Sequence, residues 1–157
     1  MKSNLSAAGP SAVLWHYTVR AHLHRILADG QLRPVAIAGL KHVKPVVWFT
    51  AHTDWEPMAN RLWQDPNGKW VRLGKDPTIV LFGGLARIAV AKDVAPLDWK
   101  AYKDQSGAPP KLVKAIYDEA VSLGSRPGQW FATFQTVPRE QWLAVEVWEN
   151  EAWVRQG

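Results

Sequence analysis

Apolar residues along the chain fall into short runs, and turn-forming residues separate them. The first run, Val13–Tyr17, predicts a strand. Thr18 then reads as the N-cap of a helix over Val19–Asp29. Its apolar residues Val19, Leu23, Ile26 and Leu27 are spaced i, i+4, i+7 and i+8, and Gly30 supplies the stop. A loop from Gln31 to Pro45 leads to a second strand, Val46–Thr50. Thr53 and Glu56 have capping-box spacing, with Pro57 tolerated in a first turn. The helix they predict lines up Trp55, Met58 and Leu62 and runs to about Gln64, where Asp65-Pro66-Asn67-Gly68 turns the chain. Strands are expected at Trp70–Leu73, Thr78–Phe82 and, after Gly83-Gly84, Arg87–Ala91. Pro110 opens a helix with Leu112, Val113, Ile116 and Ala120 facing inward and Gly124 as its end. Trp130–Phe134 and Trp142–Trp148 complete the series. About six strands and three helices that do not alternate regularly predict an α+β domain and argue against a doubly wound parallel sheet.

At 157 residues the chain suits one domain, expected over residues 12–157, behind a small, polar and flexible leader over residues 1–11. No apolar run approaches the roughly 20 residues of a membrane span, and no signal-peptide core follows Met1, so a cytoplasmic location is expected. Cysteine is absent, which excludes disulfides, zinc ribbons, iron–sulfur clusters and thiol catalysis. Charge changes the picture more. Nineteen basic side chains face fourteen acidic ones, and residues 129–157 hold only two of the former and four of the latter. The surplus therefore sits in residues 1–128, where it either keeps a small protein soluble or favours an anionic partner such as a nucleotide or nucleic acid. Ten tryptophans serve either as packing or as walls of a ligand site.

Among familiar motifs, the P-loop, Rossmann fingerprint, HExxH and GxSxG are all missing. The five histidines lie between His16 and His52, but His22 and His24 fall on different faces of their helix and few carboxylates are near, so no metal is expected.

The informative stretch is Leu14-Trp15-His16-Tyr17-Thr18, then Ile26-Leu27-Ala28-Asp29-Gly30-Gln31-Leu32-Arg33-Pro34, then Val46-Val47-Trp48-Phe49-Thr50. It resembles the ADP-ribosyltransferase superfamily in its diphtheria-toxin and poly(ADP-ribose) polymerase branch. There a first strand carries His-Gly-Ser/Thr or His-Tyr-Thr, a helix ends in an Ile-Leu-x-x-Gly-Leu-x-Pro-like segment, and a later strand reads Ile-Tyr-Phe-Ala. The match is continuous over Trp15–Thr50, about a quarter of the chain. It implies an ADP-ribosyltransferase-like fold of two small packed antiparallel or mixed sheets, and NAD as substrate. His16 would bond the nicotinamide-side ribose, the Tyr17 main chain would grip the carboxamide, and Thr18 would line the pocket. Trp48 stands where the family has a tyrosine and would wall the nicotinamide. The family's second stacking aromatic falls at Ala59, so Trp55 or Trp63 would take that role.

The family's catalytic glutamate precedes a late strand, where this chain has Glu140; strand alternation makes Glu146 a rival on the same face. Glu149-Asn150-Glu151 has the look of the arginine-specific branch, whose first-strand Arg and Ser-Thr-Ser are missing here. The residue types fit the reaction. Breaking the nicotinamide–ribose bond passes through an oxocarbenium-like state that a carboxylate stabilises, while a histidine and an aromatic wall hold the ribose. Arg33, Lys41, Lys44 and Arg61 are candidates for the pyrophosphate. The acceptor of ADP-ribose would be nucleic acid, protein or water. A reading of a different class is a non-catalytic, basic, tryptophan-rich module that binds nucleic acid or protein.

Overall fold

The computed structural model describes residues 13–157; the leader expected over 1–11 lies outside them. The fold is α+β. A seven-stranded antiparallel sheet is built, in spatial order, from β11 (Ala152–Arg155), β10 (Trp142–Glu149), β6 (Leu85–Ala91), β1 (Val13–Val19), β3 (Val47–Thr50), β8 (Trp130–Thr133) and β7 (Leu97–Asp98). Two ribbons of two strands each flank it, β2 (Gln31–Leu32) with β9 (Val137–Pro138), and β4 (Leu62–Gln64) with β5 (Trp70–Arg72). Four α-helices complete the fold: α1 (Arg20–Asp29), α2 (Lys75–Phe82), α3 (Trp99–Gln105) and α4 (Pro110–Ser122). One sheet thus replaces the two small sheets expected, although a single registered pair, Trp15 with Thr50, joins its halves between β1 and β3.

β1 and β6 are central because both of their faces are apolar. Leu14, Ala86, Ile88 and Val90 face one core, which α1 covers through Leu23 and Ile26. Val13, Trp15, Val19, Leu85 and Ala89 face the other, closed by Trp55, by Ile79 and Phe82 of α2, and by Trp148 and Trp153. A third core around β3 and β8 gathers Val46, Trp99, Tyr102, Trp130 and Ala132. Burial of this kind supplies most of the folding free energy, at roughly 25 cal/mol per Å² of apolar surface.

Several elements differ from expectation for physical reasons. Thr18 is not an N-cap: pairing with Ala86 keeps it extended and buried in β1, and α1 begins one residue after Val19 without a side-chain cap. Gly30 does end α1, at φ 75°. The helix expected after Thr53 is a single 3₁₀ turn, Pro57–Ala59, and Glu56 caps it by accepting from the Met58 N–H. Leu62–Gln64 instead pairs with β5 through the Asp65–Gly68 turn. Thr78–Phe82 belongs to helix α2, not a strand, because Gly74 and Gly83 bracket it and Thr78 N–H returns to the Gly74 carbonyl. Gly84 has to be glycine, since at φ +116° a Cβ would lie 2.7 Å from Arg20 Cδ. α3, β7 and β11 were not foreseen. No helix among the described residues is long and apolar enough to cross a membrane.

Candidate functional site

The parity of the β-ladders decides which main-chain groups are spoken for. Arg20 N–H donates to the Gly84 carbonyl, one step past the β1–β6 register, so the even-numbered residues of β1 exchange their bonds with β6. Trp15 and Tyr17 therefore direct theirs toward β3. On β3, Ala51 N–H donates to the Gln129 carbonyl, which turns the main chains of Trp48 and Thr50 toward β1. Trp15 meets Thr50, and the next pair in sequence would be Tyr17 with Trp48. That pair does not form. His16 Nδ1 lies 2.8 Å from the Trp48 carbonyl oxygen and takes its place. Tyr17 has no registered partner on β3, and its main chain faces the seam there.

Two cavities flank this seam, and His16, Tyr17 and Trp48 border both. The first, of about 200 Å³, is closed by Trp15, Thr50, Glu56, Met58, Ala59 and Trp130. The second, of about 530 Å³, runs beneath α1 and is lined by Thr18, His22, Arg25, Asp29, Arg33 and Arg61 among others. Together they reach the size typical of small-ligand sites, roughly 300–1,000 Å³.

His16 donates Nδ1–H to the Trp48 carbonyl, which leaves Nε2 as an acceptor. Burial lowers its pKa, and the bond to Trp48 offsets this in part, so the ring is neutral at pH 7. The Trp48 indole packs on Tyr102, Trp130 and Trp99 with centroids 4.5, 5.5 and 6.0 Å away, an arrangement that fixes it as a wall. Glu56 is the carboxylate of the smaller cavity. It accepts from Met58 N–H at 2.8 Å and Trp130 Nε1–H at 2.9 Å, and the Ser125 hydroxyl lies 2.9 and 2.7 Å from its two oxygens.

The opposite face of Tyr17 is tightly closed. Its hydroxyl donates to the His52 carbonyl at 2.6 Å, and burial raises the phenol's pKa, opposed by the Arg87 charge beside it. The Arg87 guanidinium pairs with Glu146 at 2.6 Å, donates to the Thr53 carbonyl at 2.6 Å, and lies 3.7 Å from the Trp15 ring centre and 4.4 Å from that of Trp153.

The structure thus gathers His16, Tyr17, Thr18 and Trp48 around the seam and leaves other expected residues elsewhere. Glu140 is exposed on the 3₁₀ turn Arg139–Gln141 and borders neither cavity. It does not share a face with Glu146 by strand alternation, because it precedes β10 and a bulge at Leu143 breaks that strand's register. Glu146 is held by Arg87. Trp55 is a core residue, edge-on to Tyr17 at 5.4 Å with its Nε1–H bonded to Asn60, and Trp63 is exposed on β4. The indoles that line the smaller cavity beside Trp48 are Trp15 and Trp130. Of the basic candidates, Arg33 and Arg61 reach the larger cavity, Arg33 bound to Asp29 at 2.7 Å, while Lys44 lies over Phe134. His22 of α1 also lines that cavity.

Glu56 escaped notice because its spacing from Thr53 already explained it as a helix cap. Arg87 carried a readable signal, one charge inside the apolar run Leu85–Ala91, which in a central strand demands buried partners. Among the described residues no three His, Asp or Glu side chains gather as a metal-ion set. Comparison with protein-family models, with curated proteins and with solved structures finds no match to the chain.

Proposed function

We propose that this protein is an NAD-consuming enzyme of the ADP-ribosyltransferase type, cleaving the nicotinamide–ribose bond in the seam between β1 and β3. The observation that carries the reading is the abandoned ladder position at Tyr17. A strand residue offers a neighbour one acceptor and one donor, and a carboxamide offers the same two groups. The nicotinamide carboxamide bonds the Tyr17 N–H and C=O in place of the missing pair, and its ring lies along the indoles of Trp48 and Trp130. His16 Nε2 accepts from a hydroxyl of the adjoining ribose. The pyrophosphate extends into the larger cavity toward Arg25 and Arg61, neither of which is in an ion pair among the described residues.

In the reaction the C1″–N bond breaks with its electron pair passing to the nicotinamide nitrogen, which leaves neutral. Positive charge develops on the ribose ring. Glu56, fixed by three donors before substrate arrives, stabilises that charge without having to reorganise. Water or a nucleophilic acceptor then bonds C1″ and sheds its proton to solvent. The carboxylate role goes to Glu56 over Glu140 because Glu56 borders the cavity with His16 and Trp48.

The experiment is nicotinamide release from NAD by the purified protein, followed by chromatography. Release that falls at least about a hundredfold in Glu56→Gln and is unchanged in Glu140→Gln supports the reading. Absence of any release, or loss in Glu140→Gln alone, contradicts it.

A further inference from the structure

The ribbon of β4 and β5 has no place in the chemistry above, yet it carries the most exposed aromatic surface of the molecule. Of the ten tryptophans, Trp63 and Trp70 are the exposed ones, at 44% and 63%. The register pairs Trp63 with Val71 and Gln64 with Trp70, so the two indoles stand on opposite faces of the ribbon. All three residues of β4 are exposed, Leu62 at 50%, and Trp63 meets the body through the edge of Phe82. A two-stranded ribbon is marginal in water on its own, and apolar side chains spent on it are not repaid by burial in the chain itself.

Its charges indicate the partner. Residues 61–75 hold Arg61, Lys69, Arg72 and Lys75 against one acid, Asp65, whose carboxylate is occupied by the turn's Asn67 and Lys69 N–H groups. Arg72 is matched by Glu119, and Asp76 follows the segment, but Arg61, Lys69 and Lys75 enter no ion pair among the described residues. Arg61 also joins the two regions. It lies over Phe82, against which Trp63 packs edge-on at 6.3 Å, and it lines the cavity beneath α1 together with Arg25 and His22. Arg25 and Arg72 depress its pKa further after burial, the signature of a like-charge cluster that an anion would relieve. Exposed indoles on a basic ribbon that leads to an anion-ready cleft match one chemistry: bases to stack and phosphates to neutralise.

We infer that the β4–β5 ribbon docks a single-stranded nucleic acid, with a base on Trp70 and phosphates along Lys69 and Arg61, and that this strand is the acceptor of ADP-ribose. The acceptor role rests on the function proposed above; the docking does not. In the transfer, a nucleophilic nitrogen or oxygen of the strand forms the bond to C1″ as the nicotinamide bond breaks, and its proton passes to water.

The test is fluorescence anisotropy with labelled oligothymidylate and oligouridylate of about 15 nucleotides. Nicotinamide release is assayed separately without oligonucleotide, so that failure of one reading is distinct from failure of the other. At least one oligonucleotide should bind, with affinity falling more than about tenfold between ~50 and ~200 mM salt if some three phosphates are neutralised. Trp70→Ala should weaken binding about tenfold and Lys69→Glu should reduce both affinity and salt slope, while each leaves NAD cleavage unchanged. Trp70 is so exposed that its removal leaves the fold intact. Absence of binding by both strands at low salt overturns the inference, as does equal binding of a duplex or full affinity in Trp70→Ala. Self-association that vanishes in Trp70→Ala, without oligonucleotide binding, also overturns it and assigns the ribbon to a second copy of the chain.

Discussion

The two edges of β1 belong to one strand and do opposite things. Toward β6 all seven residues from Val13 to Val19 are in register; toward β3 only Trp15 is. The β6 edge is flanked by Ala86, Ile88, Ala89 and Val90, small or β-branched residues that sit close on a pleated surface, and its one charge, Arg87, is fully matched. On the β3 edge an imidazole takes the carbonyl that the ladder would use. A saturated ladder stabilises the sheet and leaves nothing free to recognise a ligand. An interrupted one gives up a pair of bonds and keeps an amide-shaped donor and acceptor, provided that neighbouring groups hold the gap open.

Breaking the closed edge should have the largest effect. Arg87→Met leaves Glu146 buried without its partner and removes the bond to Thr53, and should cost about 3 kcal/mol or more in denaturant unfolding. The same change should leave nicotinamide affinity of the folded fraction nearly intact, because Arg87 acts on the face away from His16. Next is the chemistry of the open edge. Glu56→Gln should lower turnover by a hundredfold or more, about 2.7 kcal/mol, with NAD affinity retained. A parallel loss of stability of about 1–3 kcal/mol is expected, because the Gln N–H₂ then meets either the Trp130 or the Met58 donor, which bond different oxygens of Glu56.

The gap was only partly legible in the sequence. His16-Tyr17-Thr18 and Trp48 drew attention because their residue types match a family pattern, and the structure gathers them. What that pattern could not convey is which main-chain groups face the seam, since this depends on the parity of two ladders formed with residues 35 and more positions away. Glu56 was legible as a cap and illegible as a cavity wall for the same reason, as its contacts with Ser125 and Trp130 span about 70 residues. Glu140 drew attention from its place in the order of elements alone. The strand predicted at Thr78–Phe82 failed because its β-branched content was read without the bracketing glycines, whereas Gly30 and Pro110 marked their helix boundaries correctly.

A smaller effect sharpens the role of the histidine. His16→Ala removes both the hydrogen bond that displaces the ladder and the Nε2 acceptor, and should weaken NAD binding about tenfold by calorimetry. The smallest effect is on pH dependence. The His16 pKa is depressed in the folded state by burial, so the unfolded chain binds more protons as pH falls past about 6.5. Stability is therefore full above that pH and declines below it, by an amount of order 1 kcal/mol per pH unit until the folded-state value is passed. His16→Gln should flatten that decline. His22, depressed in the same direction, accounts for a part that remains.

The most direct test of the open ladder is amide hydrogen exchange read by NMR, residue by residue along β1, with and without nicotinamide. In the free protein the Tyr17 N–H should exchange much faster than those of Trp15, His16 and Thr18. Saturating nicotinamide should slow it and shift its resonance more than any other in the strand. A Tyr17 amide already as protected as its neighbours, or one that nicotinamide leaves unmoved, would contradict the account.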